Sequence, residues 1–221
     1  MRSKRTALIV VDVQNDFCPP EGSLAVKEGT EIIPLANSLR RRVSFDLVVF
    51  TQDWHPVSHT SFWTNNKDRD PEAKLFEPLV LPSGSVQVMW PVHCVQDSYG
   101  AKFHKDLDFR EGDIVVKKGT NPEVDSYSGF FDNERKQETT MDMILKEHGI
   151  ERVVIVGLAF DYCVGYTALD AVSCGYETFV CEDASRSVAE ESEVKMRKQL
   201  VEHKVGLIKT WQIQSDATIG E

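Results

Sequence analysis

Four short apolar runs each lead directly into side chains that can do chemistry. Residues 7–11 (ALIVV) run into Asp12, residues 46–51 (DLVVFT) into Asp53 and His55, residues 113–117 (DIVVK) into Lys118, and residues 153–156 (VVIV) into a seven-residue segment, GLAFDYC, that ends at Cys163. A thiol placed after a strand and ahead of a helix suits nucleophilic catalysis, because a helix N-terminus and a nearby ammonium both favour the thiolate. Cys163 is therefore the candidate nucleophile, with a lowered thiol pKa expected and its helix expected to begin at Val164. A small buried cysteine is the commoner fate of an isolated thiol. The company of Asp12 and Lys118 favours the reactive reading: a carboxylate beside a thiol can take its proton, and an ammonium stabilises the resulting charges. Lys117 and Lys118 compete for that role, since successive strand side chains face opposite ways and only one can face the site.

Asp53 and His55 pair with His93, from WPVHC (90–94), to give one carboxylate and two imidazoles. With positions left for water, this set suits one divalent metal ion, Zn²⁺ first, with Mn²⁺ or Fe²⁺ also accommodated. His59 is a further candidate ligand or a group that supports the set. His104, His148 and His203 lack such company and read as ordinary surface or core residues. Cys174 and Cys181 read as core; Cys18 and Cys94 fall near the site without being the nucleophile.

Groups delivered from several strands to one edge require a parallel sheet, because ligands in open α/β sheets bind beyond the carboxyl ends of the strands. The four runs named above, with 177–181 (ETFVC) and 205–208 (VGLI), are near-continuously hydrophobic, as strands covered on both faces are. Helices are expected over 32–43, 139–148, 166–174 and 188–202. The alternation predicts an α/β fold: a doubly wound three-layer sandwich with a mostly parallel sheet of about six strands, Rossmann-like in plan. A segment at about 56–86 interrupts the rhythm with Pro, Asn, Asp and Gly and reads as a functional loop or small insertion. The ends, 1–5 and 215–221, are expected to be loose.

At 221 residues, against about 150 per domain, the chain reads as a single domain over 1–221. Hydrophobic residues make up 41%, enough for a substantial core, and the net charge is −10. That charge argues against nucleic acid or an anionic membrane as partner, since phosphate binding needs surplus positive charge. The early apolar run is too short to span a membrane or to form a signal-peptide core. Five cysteines without a CxxC pair suggest free thiols in a reducing compartment, and hence a cytoplasmic location.

The motifs VDVQNDF (11–17), DWHPVSH (53–59), WPVHCVQ (90–96), KGTNPEVDSYSGF (118–130) and GLAFDYCV (157–164) together resemble the nicotinamidases of the isochorismatase-like cysteine hydrolase superfamily. The resemblance implies the isochorismatase-like fold and hydrolysis of nicotinamide to nicotinate and ammonia through a cysteine thioester, feeding NAD salvage, with pyrazinamide as a further substrate. It implies Asp12 as general base, Lys118 as triad lysine and Cys163 as nucleophile, with Asp53, His55 and His93 as metal ligands. It also implies a cis Leu158–Ala159 bond, an oxyanion hole from the Ala159 and Cys163 amides, and an aromatic wall of Phe17, Trp90 and Tyr127. Phe160 departs from the family's commoner small or polar residue, and the 56–86 segment leaves the entrance and any fourth metal ligand open. Other readings are another superfamily amidohydrolase acting on a different small amide, an isochorismatase, a non-catalytic scaffold and a thiol-redox enzyme. The expected partner is the small substrate, and a homo-oligomer stays open.

Overall fold

The computed structural model describes residues 4–220. Six parallel strands form one sheet in the order β5-β2-β1-β6-β7-β8: β1 (Thr6–Val11), β2 (Leu47–Asp53), β5 (Ile114–Lys118), β6 (Arg152–Leu158), β7 (Glu177–Arg186) and β8 (Gly206–Ile208). The chain starts at the centre, winds out through β2 and β5, then returns to lay β6 against the other side of β1. The order of connection reverses between β1 and β6, which opens a crevice at their carboxyl ends.

Alternation along the strands decides what each face meets. Leu8 and Val10 pack with Ile32, Ile33, Ala36 and Leu39 of α1 (Ile32–Arg42), while Ala7, Ile9 and Val11 meet the opposite layer. That layer is built from α3 (Met141–Glu147), α4 (Gly165–Ser173) and α5 (Glu190–Glu202), through Met141, Leu145, Ala168, Ala171, Met196 and Leu200. Two buried faces explain why the strand sequences are apolar without in/out alternation. At the crevice, Gly157 has φ +126°, and a Cβ there would lie 2.1 Å from the Val11 carbonyl oxygen, so the close approach of β6 to β1 requires glycine.

The expected elements are all present, with boundaries moved by a few residues. The largest change is in β7, which continues through polar residues to Arg186 because it pairs with β6 again beyond a register shift, Ser185 opposite Gly157. The 56–86 segment carries α2 (Trp63–Asn66) and the strands β3 (Pro78–Val80) and β4 (Val86–Val88), which pair antiparallel over a small core of Ala73, Leu79, Leu81 and Met89.

The expectation of loose ends is corrected where the ends are described. Arg5 Nε donates to the His148 carbonyl at 2.8 Å, the Ser44 N–H donates to Ser215 O at 2.7 Å, and Ala217 is buried. Residues 1–3 and 221 lie outside the described part. Among the described residues, no helix is long and apolar enough to cross a membrane.

Candidate active site

Four adjacent strands, β5, β2, β1 and β6, bring their carboxyl ends together, and each supplies one of the expected groups. Lys118 is the last residue of β5 and sits in register with Asp53, the last residue of β2. Asp12 follows β1 in a left-handed conformation, φ +47°, which Asp tolerates better than most residues. After β6 comes the cis Leu158–Ala159 bond, then a single wide turn, Phe160–Val164, that carries Cys163; α4 begins only at Gly165, one residue beyond the expected start. Lys118 points inward and is 2% exposed, whereas the Lys117 ammonium lies outside, 3.6 Å from the Trp54 ring centroid, which settles the choice between them.

The Lys118 ammonium is the hub. It lies within hydrogen-bond reach of Asp53 Oδ1 at 2.5 Å, the Ser126 carbonyl at 2.9 Å and Cys163 Sγ at 3.3 Å. Asp12 Oδ2 lies 2.9 Å from the same ammonium and forms a buried ion pair with it. Its partner oxygen, Oδ1, accepts from Thr51 Oγ1 at 2.7 Å. A carboxylate oxygen of Asp12, one of Asp53 and the Cys163 sulfur all lie within 4.8 Å of one another. Asp12 thus presents a buried carboxylate to both the ammonium and the thiol.

Burial and neighbouring charges compete in setting the proton affinities; burial wins at Asp12 and Cys163. It raises the Asp12 carboxyl to about 6, with Lys118 pulling the other way. Asp53 is also buried, but Lys118 and then His55 outweigh that and hold it far below the usual range. The expected lowering of the Cys163 pKa is corrected: burial pushes the thiol well above its ordinary value, and the Asp12 and Asp53 charges add to that, against the pull of Lys118. The resting group is a thiol, so a base must take its proton during the reaction rather than before it.

His55 Nδ1 donates to the Gly119 carbonyl at 2.8 Å and His93 Nδ1 to the Pro91 carbonyl at 2.7 Å. Both rings therefore turn Nε2 inward, 3.5 Å and 4.0 Å from Asp53 Oδ2. Gly119 has φ +63°, and a Cβ there would sit 2.3 Å from His55 Cε1, which is why glycine must follow Lys118. Burial, then the His55 charge, lowers His93 to about 4. Two imidazole nitrogens and one carboxylate oxygen, with ring orientations fixed by backbone acceptors, are the donor set a divalent metal takes. His59 stacks on His55 with ring centroids 4.1 Å apart; its buried Nε2 has no hydrogen-bond partner and lies 3.9 Å from Asp125 Oδ1.

These groups open onto a pocket of about 380 Å³, mouth included, lined by Phe17, Trp90, Tyr127, Ala159, Cys163, Asp53 and His93 among others. All three expected aromatic residues are there. Sequence reasoning missed Tyr162, whose ring meets Trp90 edge-on at 4.9 Å, and Asp125. Both sit inside quoted motifs, beside Cys163 and seven residues past Lys118, so position within the motif was the available signal. Gln87 of β4, also missed, donates to Asp125 Oδ2 at 3.0 Å and to the Tyr127 hydroxyl at 3.1 Å; the Trp90 indole N–H donates to that hydroxyl at 3.2 Å. Cys18 and Cys94 are buried near the site without lining the pocket, Cys181 is core, and Cys174 is only half-buried.

Comparison with known proteins gives the same picture from another side. Residues 6–212 match the model of the isochorismatase domain. The nicotinamidase of Acinetobacter baylyi is 43% identical over 187 residues, which cover 85% of this chain and 84% of that protein. Among solved structures, a nicotinamidase/pyrazinamidase from Acinetobacter baumannii superimposes with a TM-score of 0.87 at 40% identity, covering 96% of this chain and 99% of that one. The pyrazinamidase of Pyrococcus horikoshii, solved in complex with zinc, gives a TM-score of 0.73 at 35% identity, covering 93% and 99%. Sheet order, crevice and sequence match agree, and the chain belongs to the isochorismatase family.

Proposed function

We propose that this protein is a nicotinamidase, hydrolysing nicotinamide to nicotinate and ammonia through a thioester on Cys163. The observation that carries the reading is the Lys118 ammonium, held against Asp12 and against Cys163 and Asp53, two residues that line a small aromatic pocket. The neutral pyridine ring fits among Phe17, Trp90, Tyr127 and Tyr162, an apolar enclosure with a few convergent polar groups.

Asp12 Oδ2 takes the Cys163 proton as sulfur bonds to the carboxamide carbon, and the carbonyl electron pair moves onto oxygen. The Ala159 and Cys163 amides hold that oxyanion, a contribution worth roughly 3–4 kcal/mol for a single donor in related chemistry. Protonated Asp12 then gives its proton to the departing nitrogen and ammonia leaves. Water attacks the thioester with Asp12 again taking a proton, the C–S bond breaks, and nicotinate is released with the thiol restored. Lys118 stays charged throughout: burial disfavours its ammonium, but Asp12 and Asp53 outweigh it.

Asp53, His55 and His93 would hold one divalent ion, zinc being the simplest match, with Mn²⁺ or Fe²⁺ as alternatives. When bound, the ion supplies a Lewis-acidic anchor for the ring nitrogen. A second ring nitrogen changes the shape little, so pyrazinamide is a further substrate. The unpaired thiols fit a cytoplasmic enzyme, and nicotinate is the form of the ring that NAD salvage consumes.

The test is a substrate panel of nicotinamide, pyrazinamide and isochorismate, with elemental analysis of the same sample and Cys163→Ala in parallel. Ammonia release from both amides, none from the variant, and one metal ion per chain are expected. Metal-loaded protein that releases no ammonia from nicotinamide, or a variant with wild-type turnover, overturns the reading.

A further inference from the structure

The turn that carries the nucleophile contains a buried carboxylate that the mechanism does not use. Asp161 lies midway between Ala159 and Cys163 and is 3% exposed. Its Oδ1 accepts the Val188 N–H at 2.9 Å; its Oδ2 accepts the Ala189 N–H at 3.1 Å and the Ser192 hydroxyl at 2.5 Å. Among the described residues, no lysine, arginine or histidine forms an ion pair with it. A buried carboxylate without a cation is costly unless its lone pairs are filled. Here they are filled by donors at the start of α5, where the helix dipole also favours negative charge.

Helix capping alone explains only part of this arrangement. A cap is ordinarily a local Ser, Thr, Asp or Asn, but position 189 is alanine and has no side-chain cap. Asp161 reaches instead, from 27 to 31 residues earlier in the chain, to the Val188 and Ala189 amides just ahead of the helix and to the Ser192 hydroxyl in its first turn. The constraint runs both ways: Asp161 holds the chain leading into α5, and that chain fixes the turn. Val188 lines the same pocket as Ala159 and Cys163, so this carboxylate also ties the turn to a second part of the lining. Phe160 adds a second tie, with the Arg197 guanidinium of α5 5.0 Å from its ring centroid.

We propose that Asp161 is a positioning residue for acyl transfer, pinning the Phe160–Val164 turn to the start of α5 so that the Ala159 and Cys163 amides stay aimed at the developing oxyanion. This rests on the proposed hydrolysis through Cys163. An oxyanion is held by donors 2.7–3.1 Å away, and a misplacement near 1 Å can cost about 100-fold in rate. Asparagine keeps the shape of Asp161 but turns an N–H donor toward donors.

The experiment compares wild type, Asp161→Asn and Ser192→Ala with two probes beside nicotinamide. Pyridine-3-carbaldehyde adds the thiol and places an oxygen where the oxyanion forms, whereas iodoacetamide alkylates the thiol without forming one. For Asp161→Asn, kcat is expected to fall about 10- to 100-fold with KM changed less than about threefold. Aldehyde affinity should fall by the same factor while the alkylation rate stays at the wild-type value. Ser192→Ala, which removes one donor and leaves the turn intact, should show the same split at about 2- to 10-fold and carries the test if the asparagine variant does not fold. Unchanged kcat in the folded variants, or losses of kcat, alkylation rate and thermal stability in common proportion, overturn the proposal. Wild-type protein that leaves nicotinamide intact would instead overturn the proposed function.

Discussion

Asp12, Asp53 and Lys118 reach the site from the ends of adjacent parallel strands, whereas Trp90, His93, Asp125 and Tyr127 reach it from the connections on either side of β5. The strand-borne charges are placed by the ladder itself: Lys118 faces Asp53 through backbone register before any side chain contributes. The loop-borne groups depend on side-chain bonds, His93 on the Pro91 carbonyl, and Trp90, Tyr127 and Asp125 on one another and on Gln87. The contrast suggests a division of labour. The charges that surround the thiol sit at the ends of strands that cannot move without unfolding the sheet, and the shape of the ligand pocket sits on elements that can be varied.

The comparison is sharpest when one group is removed from each side. Lys118→Ala leaves two buried carboxylates without their cation, so a loss of about 3–5 kcal/mol in stability is expected together with a fall in kcat/KM of at least about 10³-fold, read by denaturant unfolding and ammonia release. His93→Ala should spare the sheet and strike the metal: affinity for zinc should fall at least about 100-fold, with a raised KM for nicotinamide, read by titration and elemental analysis. Gln87→Ala, on the inserted hairpin, should raise KM about tenfold and leave kcat within about threefold. If Gln87→Ala destabilised the protein as much as Lys118→Ala, the distinction between the two regions would fail.

The smallest expected effect concerns pH. With its pKa raised to about 6, Asp12 is charged and able to accept the thiol proton only above that value, so kcat/KM should fall as pH drops through 6. The Thr51 hydroxyl stabilises the charged carboxylate and holds this pKa down. Thr51→Val should therefore move the acid limb upward, by less than about one pH unit. A limb that stays in place would remove Asp12 from the role of base.

The same contrast marks what could be read from the sequence. The strands β1, β2, β5 and β6 were legible because burial on both faces leaves unbroken apolar runs, and the reactive residues at their ends followed from that placement. The polar end of β7 was not, since Ser185 and Arg186 are in the strand only through renewed pairing with β6. Nor were β3 and β4, three residues each in a segment broken by four prolines. Gln87, Asp125 and Tyr162 were hidden because contact, rather than spacing, makes them part of the site. The Cys163 pKa was expected on the wrong side because a helix terminus and a lysine are visible in sequence, while the burial that overrides them is not.

The central claim is that the amide is cleaved through a thioester on Cys163 rather than by direct attack of water, and hydroxylamine tests it most directly. Added during turnover of nicotinamide, it should divert the acyl group into nicotinohydroxamate, with nicotinate falling in proportion and ammonia release undiminished. Nicotinate as the sole product at every hydroxylamine concentration, with ammonia still released, would contradict the account.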